Sequence, residues 1–444
     1  MAHVHGREIK VGVLGLGVVG SGTVRILQEN ADEIARRVGA RLTVKKIAVR
    51  DVNKARAVTV DRSLMTAHPE EVINDPDIEI LAELIGGVEP AHDYVLQAIR
   101  SGKHIVTANK EMMAKAGHDL MEAAGAGGRD FYLEGSVAGG IPIIAAIKES
   151  LAANRVQEVL GIVNGTTNYI LSKMTEEGAA FADVLSEAQA HGYAETDPTS
   201  DVDGFDAQYK IAILASIAFN SRVHVDEIAA QGIRGIEARD IAVARELGYR
   251  IKLVAVAQQA SDGQGMQARV HPMLLPVEHP LAAVNGVMNA VLVRGDAVGQ
   301  VMFYGPGAGS LPTGSAVVGD LVAVGRNILA GSTGRVGCTC FEEKRMLPIE
   351  SVETRFYVRV LAHDKPKVLA SVAGVFGDHD VSIESVLQRA HRDETHGDGA
   401  NDEAGAEIVW VTHKVREKNL RTALDAIRAL PSVQKVSNWI RVAE

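Results

Sequence analysis

A glycine-rich turn between a short apolar strand and a helix constrains this chain most. Residues 9–14 read IKVGVL, residues 15–20 read GLGVVG, and a helical pattern continues to about residue 30. In such a motif the first glycine permits a tight turn, the second lets a pyrophosphate approach, and the third lets helix and strand pack closely. The following helix N-terminus attracts phosphate charge. The motif predicts a dinucleotide site, with a structural glycine turn as the alternative, at Gly15, Gly17, Val18, Val19 and Gly20.

The end of the second predicted strand, residues 41–49, indicates which dinucleotide would fit. Arg50 and Asp51 follow this strand, where the adenosine ribose is read. An arginine there accepts the 2′-phosphate of NADP, whereas an acid binds the 2′-hydroxyl of NAD. Arg50 comes first, and Lys54 and Arg56 add positive charge. The residues favour NADP and leave NAD possible, and surface charges at a strand end are the alternative.

Strand and helix patterns continue to alternate, which predicts a parallel α/β sheet of the Rossmann type. Residues 78–85 and 104–107 read as buried strands, and Lys110 follows the second one closely. Ligands bind at the carboxyl ends of such strands, so Lys110 is expected near a nicotinamide or a substrate. A further strand, 130–137, is predicted to end in a glycine-rich bend that runs to Pro142.

Length and composition exclude several classes of protein. A chain of 444 residues exceeds one core and should divide into two or three domains. Its formal net charge of −10 argues against nucleic acid and anionic membranes as partners. No apolar run reaches the length of a membrane span. The only cysteines, Cys338 and Cys340, form neither a zinc motif nor a disulfide framework, so we expect a reducing cytoplasm.

A run of acids that ends on a lysine, within residues 189–214, indicates chemistry most strongly. Asp206 and Lys210 are four residues apart and can pair on one helix face. A lysine where a charged loop meets a buried helix is a candidate proton-transfer group, because burial and a carboxylate both tune its pKa. The alternative is a charged loop with a solvated ion pair. The acids of the run are Glu195, Asp197, Asp201, Asp203 and Asp206.

Several segments together resemble the homoserine dehydrogenase family. The most specific are NGTTNYI and GYAETDPTSDVDGFDAQYK. The resemblance implies that a nicotinamide cofactor serves the interconversion of aspartate 4-semialdehyde and homoserine, in threonine and methionine biosynthesis. The matching segments lie in collinear order over roughly residues 8–330 and are 107–110, 134–142, 164–170, 191–210, 305–309 and 313–320.

The resemblance implies roles for individual residues. Lys210 matches the family's lysine that handles the proton of the substrate oxygen, and Asp206 matches its companion, which positions the lysine or the substrate. Glu195 matches a substrate-binding carboxylate suited to an ammonium group. Lys110 matches a lysine at the junction of cofactor and substrate, and Gly307 would lie near the cofactor. Hydride transfer develops negative charge on an oxygen, which such donors offset.

The family also binds a monovalent cation, such as sodium, through backbone carbonyls. The matching positions are Glu134, Val137, Gly139 and Ile141. Carbonyls in a glycine-rich bend suit a hard ion, for which a structural role is expected. A tight turn that binds nothing is the alternative.

Three domains are predicted. A Rossmann-type nucleotide-binding domain covers 1–134 and about 306–332. An α+β domain for substrate binding and dimerisation covers 135–305; family members pair subunits through it, so a homodimer or homotetramer is expected. A linker, 333–352, leads to residues 353–444, which show a β-α-β-β-α-β pattern.

The C-terminal pattern is ferredoxin-like and resembles the ACT domain, a small-molecule sensing module that could fold by itself. The resemblance suggests an amino-acid effector such as threonine, the downstream product of the pathway. The usual Asp-x-Pro-Gly turn reads Asp364-Lys365-Pro366-Lys367 here. A lysine therefore stands where an effector would approach the backbone, and a domain that only assembles subunits is the alternative.

Two other functions fit parts of the pattern. A phosphorylating semialdehyde dehydrogenase needs a thiol nucleophile, and the predicted catalytic region contains no cysteine. A nucleotide-binding amino-acid sensor without catalysis is the main alternative. The absence of Lys210, Asp206 or Glu195 would favour it, and all three are present.

Overall fold

A parallel sheet flanked by helices forms the N-terminal part of the structure, a computed structural model that describes residues 6–260, 263–391 and 405–443. Its central strands are short and buried, as expected where helices cover both faces of a sheet. The elements are β1 (Glu8–Leu14), α1 (Val18–Glu29), α2 (Ala31–Val38), β2 (Arg41–Ala48), β3 (Met65–Thr66), α3 (Glu70–Ile73), β4 (Ile80–Glu83), α4 (Ala91–Arg100), β5 (His104–Thr107), α5 (Lys110–Ala126) and β6 (Phe131–Tyr132).

These strands pair in parallel in the order β3-β2-β1-β4-β5-β6. The order of connection reverses between β1 and β4, so the loops after these two strands separate there and leave a crevice at the carboxyl edge of the sheet. This is the Rossmann-type arrangement that the sequence predicts, and the predicted fold class is confirmed.

The strand predicted over 130–137 is wrong in its extent. Only Phe131–Tyr132 pairs with the sheet, and Glu134–Ser136 forms a single 3₁₀ turn. Ala138 and Gly139 then adopt left-handed φ angles of 54° and 46°. The alternation of apolar residues does not reveal these angles, which bend the chain back towards the crevice.

The second part of the chain combines helices with the start of a long mixed sheet. It contains α6 (Ile143–Ala145), β7 (Val156–Ile162), α7 (Gly165–Glu177), α8 (Phe181–Ala190), α9 (Thr199–Val202), α10 (Phe205–Ala218), β8 (Ala229–Ala230), α11 (Ala238–Glu246), β9 (Tyr249–Gln259), β10 (Gly265–Pro276), β11 (Met288–Gly295), β12 (Gly299–Pro306) and α12 (Ser310–Ala330).

Helices α10 and α12 connect this part to the first sheet. The apolar α10 packs on β9 and β10 and also contacts α5. Helix α12 returns to the first sheet and lies along α1. Gly22 and Gly314 permit that approach, because a Cβ on Gly314 would lie 2.8 Å from the Gly22 carbonyl carbon.

The C-terminal part is a sheet with two helices on one face. Phe356, Phe376 and Trp410 lie in its core. Residues 392–404, most of the polar segment between the third and fourth strands listed next, lie outside the described residues. The elements are β13 (Arg345–Met346), β14 (Glu353–His363), α13 (Val368–Asp378), β15 (Ile383–His391), β16 (Gly405–Thr412), β17 (Val415–Arg416), α14 (Glu417–Arg428) and β18 (Val433–Val442).

The C-terminal sheet continues the sheet of the second part. The strand path is β12-β11-β7-β9-β10-β18-β14-β16-β15, with β10 and β18 paired in parallel at Met273↔Arg441 and Leu274↔Val442. Tyr357 and Ile440 belong to the same apolar core as β9 and β10. The C-terminal part therefore has its own core and also shares a continuous sheet with the second part.

Buried ion pairs reinforce this junction. Arg359 of β14 donates to Asp240 of α11 at 2.7 Å and to Glu237 at 2.5 Å. Arg239 of α11 donates to Glu407 of β16 at 2.9 Å. Arg359, Asp240 and Glu407 are buried, so separation of the two parts would leave charges without partners in apolar surroundings.

Among the helices of the described ranges, none combines the length and the apolar character needed to cross a membrane.

Candidate functional site

A cleft of about 520 Å³ opens at the carboxyl edge of the parallel sheet. The turn after β1 and the loop after β4 form one side. The start of α5, the bend after β6 and Lys210 of α10 form the other. The residues that line it include Gly17, Val18, Val19, Gly86, Gly87, Asn109, Lys110, Ser136, Gly139, Lys210, Gly307 and Thr313.

The glycine turn has the geometry that a dinucleotide needs. Gly15 has a φ of 96°, and a Cβ on Gly20 would lie 2.2 Å from the Gly15 carbonyl oxygen. A Cβ on Gly17 would meet no atom within 4 Å, so this position leaves room beside the backbone. Helix α1 has no side-chain cap and no acid in its first turn, and Val18 is 68% exposed. Its N-terminal N–H groups are therefore suited to a phosphate.

Two arginines, Arg50 and Arg56, lie in the loop that follows β2. Arg50 is exposed directly after β2. The Asp51 carboxylate accepts the N–H of Asn53 at 2.8 Å, which engages it in its own loop. Arg56 donates to the Leu16 carbonyl at 3.1 Å, next to the glycine turn, and its buried Nε has no partner among the described residues. These groups fit an anionic ligand.

Asp206 lies between two lysines at the inner end of the cleft. Its side chain is 4% exposed, and its Oδ2 accepts a hydrogen bond from Lys210 Nζ at 2.7 Å. Its Oδ1 pairs with Lys110 Nζ. Asn164 also donates to Oδ2, at 2.9 Å, and Lys210 donates to the Val163 carbonyl at 2.7 Å. The structure thus brings together Lys110, Asp206 and Lys210.

Burial and neighbouring charges shift the pKa values of these three groups in different directions. Burial alone would raise the pKa of Asp206, but Lys210 and Lys110 outweigh it and hold the pKa well below its usual value. Burial lowers the pKa of Lys210, although Asp206 opposes this effect. For Lys110, burial is outweighed by Asp206, which raises its pKa. The site therefore combines a stable carboxylate, a stable cation and a lysine that releases its proton more easily than usual.

Three helix N-termini bring these side chains together. Asp206 and Lys210 lie one turn apart in α10, and Lys110 is the first residue of α5. Asn109 caps α5 and donates to the Gly87 carbonyl at 2.6 Å. Asn164 caps α7 and donates to Asp206. An asparagine before a helix is an N-cap signal, but the sequence does not show that the other end of the amide would face this site.

The other acids of the run occupy different places. Asp201 accepts from Asn164 at 2.7 Å, and burial, with Asp206 nearby, raises its pKa. Glu195 is exposed, yet close enough to contribute to the raised pKa of Lys110. Asp203 pairs with Arg234 at 2.6 Å, and Asp197 caps its own loop. Of the acidic run, Asp206, Asp201 and Glu195 therefore lie near Lys110, whereas Asp197 and Asp203 are engaged elsewhere.

Glu83, at the end of β4, is a buried residue behind the cleft lining that sequence reasoning missed. It is fully buried and accepts from Thr107 Oγ1 at 2.6 Å and from the Ile85 N–H at 2.8 Å. Burial raises its pKa. It ties the ends of β4 and β5 together beside the cleft. An acid within the apolar segment IEILAELI was the available signal.

The residues of the predicted cation site, Glu134, Val137, Gly139 and Ile141, lie in the bend after β6. The Glu134 carboxylate is occupied by the N–H groups of Ile144 and Ala145 at 2.8 and 2.7 Å. The carbonyls of Glu134 and Ile141 each accept one backbone hydrogen bond, at 3.5 and 2.8 Å. A carbonyl oxygen has a second lone pair, so both can still bind an ion. Gly139 adjoins the cleft, since a Cβ there would lie 2.6 Å from the Gly307 carbonyl oxygen.

Family models match almost the whole chain. The model described as homoserine dehydrogenase, NAD binding domain, matches residues 15–134, that described as homoserine dehydrogenase matches 142–322, and that of the ACT domain matches 356–432. The homoserine dehydrogenase of Synechocystis sp. is 47% identical and covers 98% of this chain and 99% of its own. That of Bacillus subtilis is 43% identical and covers 98% of each chain.

Solved structures agree with these matches. A homoserine dehydrogenase from Thiobacillus denitrificans has a TM-score of 0.90 at 44% identity and covers 99% of each chain. A hyperthermophilic archaeal homoserine dehydrogenase in complex with NADPH has a TM-score of 0.60 at 27% identity and covers 72% of this chain and 98% of its own. The findings confirm the predicted resemblance and do not favour a sensor without catalysis. The chain belongs to the homoserine dehydrogenase family of NAD(P)-dependent oxidoreductases and carries a C-terminal ACT domain.

Proposed function

We propose that the cluster of Lys110, Asp206 and Lys210 carries the interconversion of L-aspartate 4-semialdehyde and L-homoserine in this chain. The observation that supports this most is the buried carboxylate between two lysines at the cleft, below the glycine turn. When bound, the nicotinamide cofactor supplies or accepts the hydride. The residues of the chain orient the substrate and manage the charge and the proton on its oxygen.

Lys210 is the proposed proton donor to the substrate oxygen. Reduction of an aldehyde develops negative charge on that oxygen, which a preorganised donor stabilises. Asp206 and the Val163 carbonyl engage two of the three N–H groups of Lys210; among the described residues no partner takes the third, and the side chain lines the cleft. Because burial lowers the pKa of Lys210, the amine can give up its proton and take it back in the reverse direction.

The remaining charges suit an amino-acid substrate. Asp206 holds Lys210 in place and can contact the substrate. The exposed carboxylate of Glu195 fits the substrate ammonium group, and Asp201 adds a second acid on the same side of the cluster. Lys110 remains a cation and lies where the cofactor and the substrate would meet.

NADP is the proposed preferred cofactor, with NAD as the alternative. Exposed Arg50 suits the 2′-phosphate, and the carboxylate of Asp51 is engaged by the N–H of Asn53. Gly15, Gly17, Val18, Val19 and Gly20 would hold the pyrophosphate, and Gly307 would close the nicotinamide end of the cleft. A solved archaeal relative contains NADPH.

A monovalent cation such as sodium is proposed at the carbonyls of Glu134, Val137, Gly139 and Ile141. Neutral oxygens in a bend with two left-handed residues suit a weakly bound hard ion. Its role would be structural: it would fix the bend that contacts the loop of Gly307.

Regulation and assembly complete the proposal. The ACT domain would sense an amino acid such as threonine, and its junction with α11 offers a physical route to the catalytic part. A homodimer or homotetramer is proposed, with β12 at a sheet edge and Met302 and Tyr304 exposed on it. The two free thiols accord with a cytoplasmic enzyme.

A spectrophotometric assay tests the proposed reaction. The absorbance of the reduced nicotinamide is followed with homoserine plus NADP⁺, with aspartate semialdehyde plus NADPH, and without substrate, and each is repeated with NAD(H). We expect substrate-dependent turnover in both directions. Tight cofactor binding without turnover would instead support the amino-acid sensor.

A further inference from the structure

A second cavity lies between α5 and α10, away from the dehydrogenase cleft. Its volume is about 70 Å³. The only two cysteines of the chain, Cys338 and Cys340, line it together with His118 of α5, Lys148 and Arg222. The proposed dehydrogenase mechanism uses none of these side chains.

Two polar atoms of this cavity lack partners. Among the described residues, His118 Nδ1 and Thr339 Oγ1 are buried without a hydrogen bond. Lys148 and Arg222 place positive charge near the sulfur atoms, which is the environment of a reactive rather than an inert thiol. The cavity thus has both polar groups and space for a small polar reactant such as hydrogen peroxide.

The two thiols differ in character. Cys338 is exposed and Cys340 is partly buried. The neighbouring Cys340 thiol, with a smaller contribution from His118, lowers the pKa of Cys338 to about 5. The same contact raises the pKa of Cys340. The pair therefore combines a thiol that ionises more readily than usual with one that retains its proton, as expected of an attacking and a resolving cysteine.

We propose that Cys338 and Cys340 form a hydroperoxide-sensitive thiol pair. The Cys338 sulfur attacks one oxygen of the hydroperoxide, the O–O bond breaks, and the leaving oxygen takes up a proton as water or an alcohol. Cys338 becomes a sulfenic acid. The Cys340 sulfur then attacks Cys338, and the displaced hydroxide leaves as water with the Cys340 proton. The two thiols lose two electrons and the hydroperoxide gains them.

The position of the pair suggests a consequence for the enzyme. We name residues 338–344 the strap. The strap contacts the C-terminal end of α10 through Cys340 Sγ, 3.8 Å from the Ser216 carbonyl oxygen, and through the Glu342 N–H, 2.8 Å from the Asn220 carbonyl oxygen. A disulfide removes the Cys340 thiol donor, and α10 carries Asp206 and Lys210 at its other end. We expect oxidation to lower turnover about twofold to tenfold.

Mass spectrometry tests the thiol chemistry independently of dehydrogenase activity. The reduced full-length protein is treated with equimolar hydrogen peroxide at pH 7, and the tryptic peptide 336–344 is analysed. We expect an internal disulfide that dithiothreitol reverses. Cys340→Ser should stop at a sulfenic acid that dimedone traps, and Cys338→Ser should react at least tenfold more slowly. Thiols that stay reduced, or equal rates in the two variants, overturn the proposal.

Two further measurements complete the test. Between pH 8 and pH 6 the rate of Cys338 alkylation by iodoacetamide should fall less than twofold, against roughly seventyfold for an ordinary thiol of pKa about 8.5. A seventyfold fall excludes the thiolate. Turnover should decrease on oxidation in the wild type but not in the double variant Cys338→Ser/Cys340→Ser. Unchanged turnover in fully oxidised wild type refutes the link to α10.

Discussion

Replacement of Lys210 by methionine should remove most of the turnover and leave cofactor binding intact. The methionine keeps the unbranched shape but loses the donor aimed at the substrate oxygen. Loss of one such donor costs about 3–4 kcal/mol in the transition state, which lowers kcat by roughly a hundredfold to a thousandfold. Asp206 keeps Lys110 and Asn164 as partners, so the free energy of unfolding should fall by only about 2 kcal/mol.

The assay separates this effect from misfolding. kcat and KM are measured with aspartate semialdehyde and NADPH, NADPH binding is followed by fluorescence, and urea unfolding reports stability. Lys115→Met is the control, since Lys115 lies further along α5 from Lys110, is 44% exposed and, in the described part of the chain, contacts Glu111 and the face of Tyr209. It should retain turnover within twofold. A kcat for folded Lys210→Met within threefold of the wild type would refute the assigned role.

Four other changes have definite expected outcomes. Arg50→Ala should raise KM for NADPH about tenfold more than KM for NADH, because only NADPH carries the 2′-phosphate; equal changes in steady-state assays would exclude this contact. Homoserine oxidation needs neutral Lys210, so the rate of oxidation should rise with pH and level off below the ordinary lysine pKa of about 10.4. Asp206→Asn removes the carboxylate that raises the pKa of Lys210. The pH profile of any residual activity of this variant should therefore shift to lower pH. Arg359→Met should lower the free energy of unfolding in urea by about 3–5 kcal/mol, since buried carboxylates lose a cation. Lys367→Gly should raise the free energy of unfolding by about 1 kcal/mol, because Lys367 has a left-handed φ of 76° that is unfavourable for lysine and accessible to glycine. A decrease in the free energy of unfolding would contradict this.

Local features of this chain could be predicted from its sequence, and distant contacts could not. The glycine turn and the pairing of Asp206 with Lys210 follow from spacing over a few residues, and the structure contains both. Asn164 reaches Asp206 across 42 positions, and its amide signals only a helix cap locally. β6 is short because the chain turns into a 3₁₀ segment at Glu134–Ser136, which alternation of apolar residues does not encode.

The junction of the two sheets shows the same limit on a larger scale. Each strand of the ACT domain has an apolar pattern typical of a strand, so the order of strands and helices in the domain could be predicted. The pairing of Met273 with Arg441 joins strands far apart in the chain, and nothing in either strand specifies the other. The sequence pattern therefore predicts an independent domain, although its strand β18 pairs with β10 of the second part.

The continuous sheet has a consequence for how the chain unfolds and how it can be recombined. Separation of the ACT domain would expose the edge of β10 that pairs with β18 and would remove Arg359 from the buried carboxylate of Asp240, so the catalytic part and the ACT domain should melt in one cooperative transition. Amide protons of β10 should exchange with solvent only on that global event. Arg239 and Asp240 of the catalytic part pair with Glu407 and Arg359 of the ACT domain. In a chimera, an ACT domain taken from a relative would therefore need a glutamate and an arginine at the positions of Glu407 and Arg359.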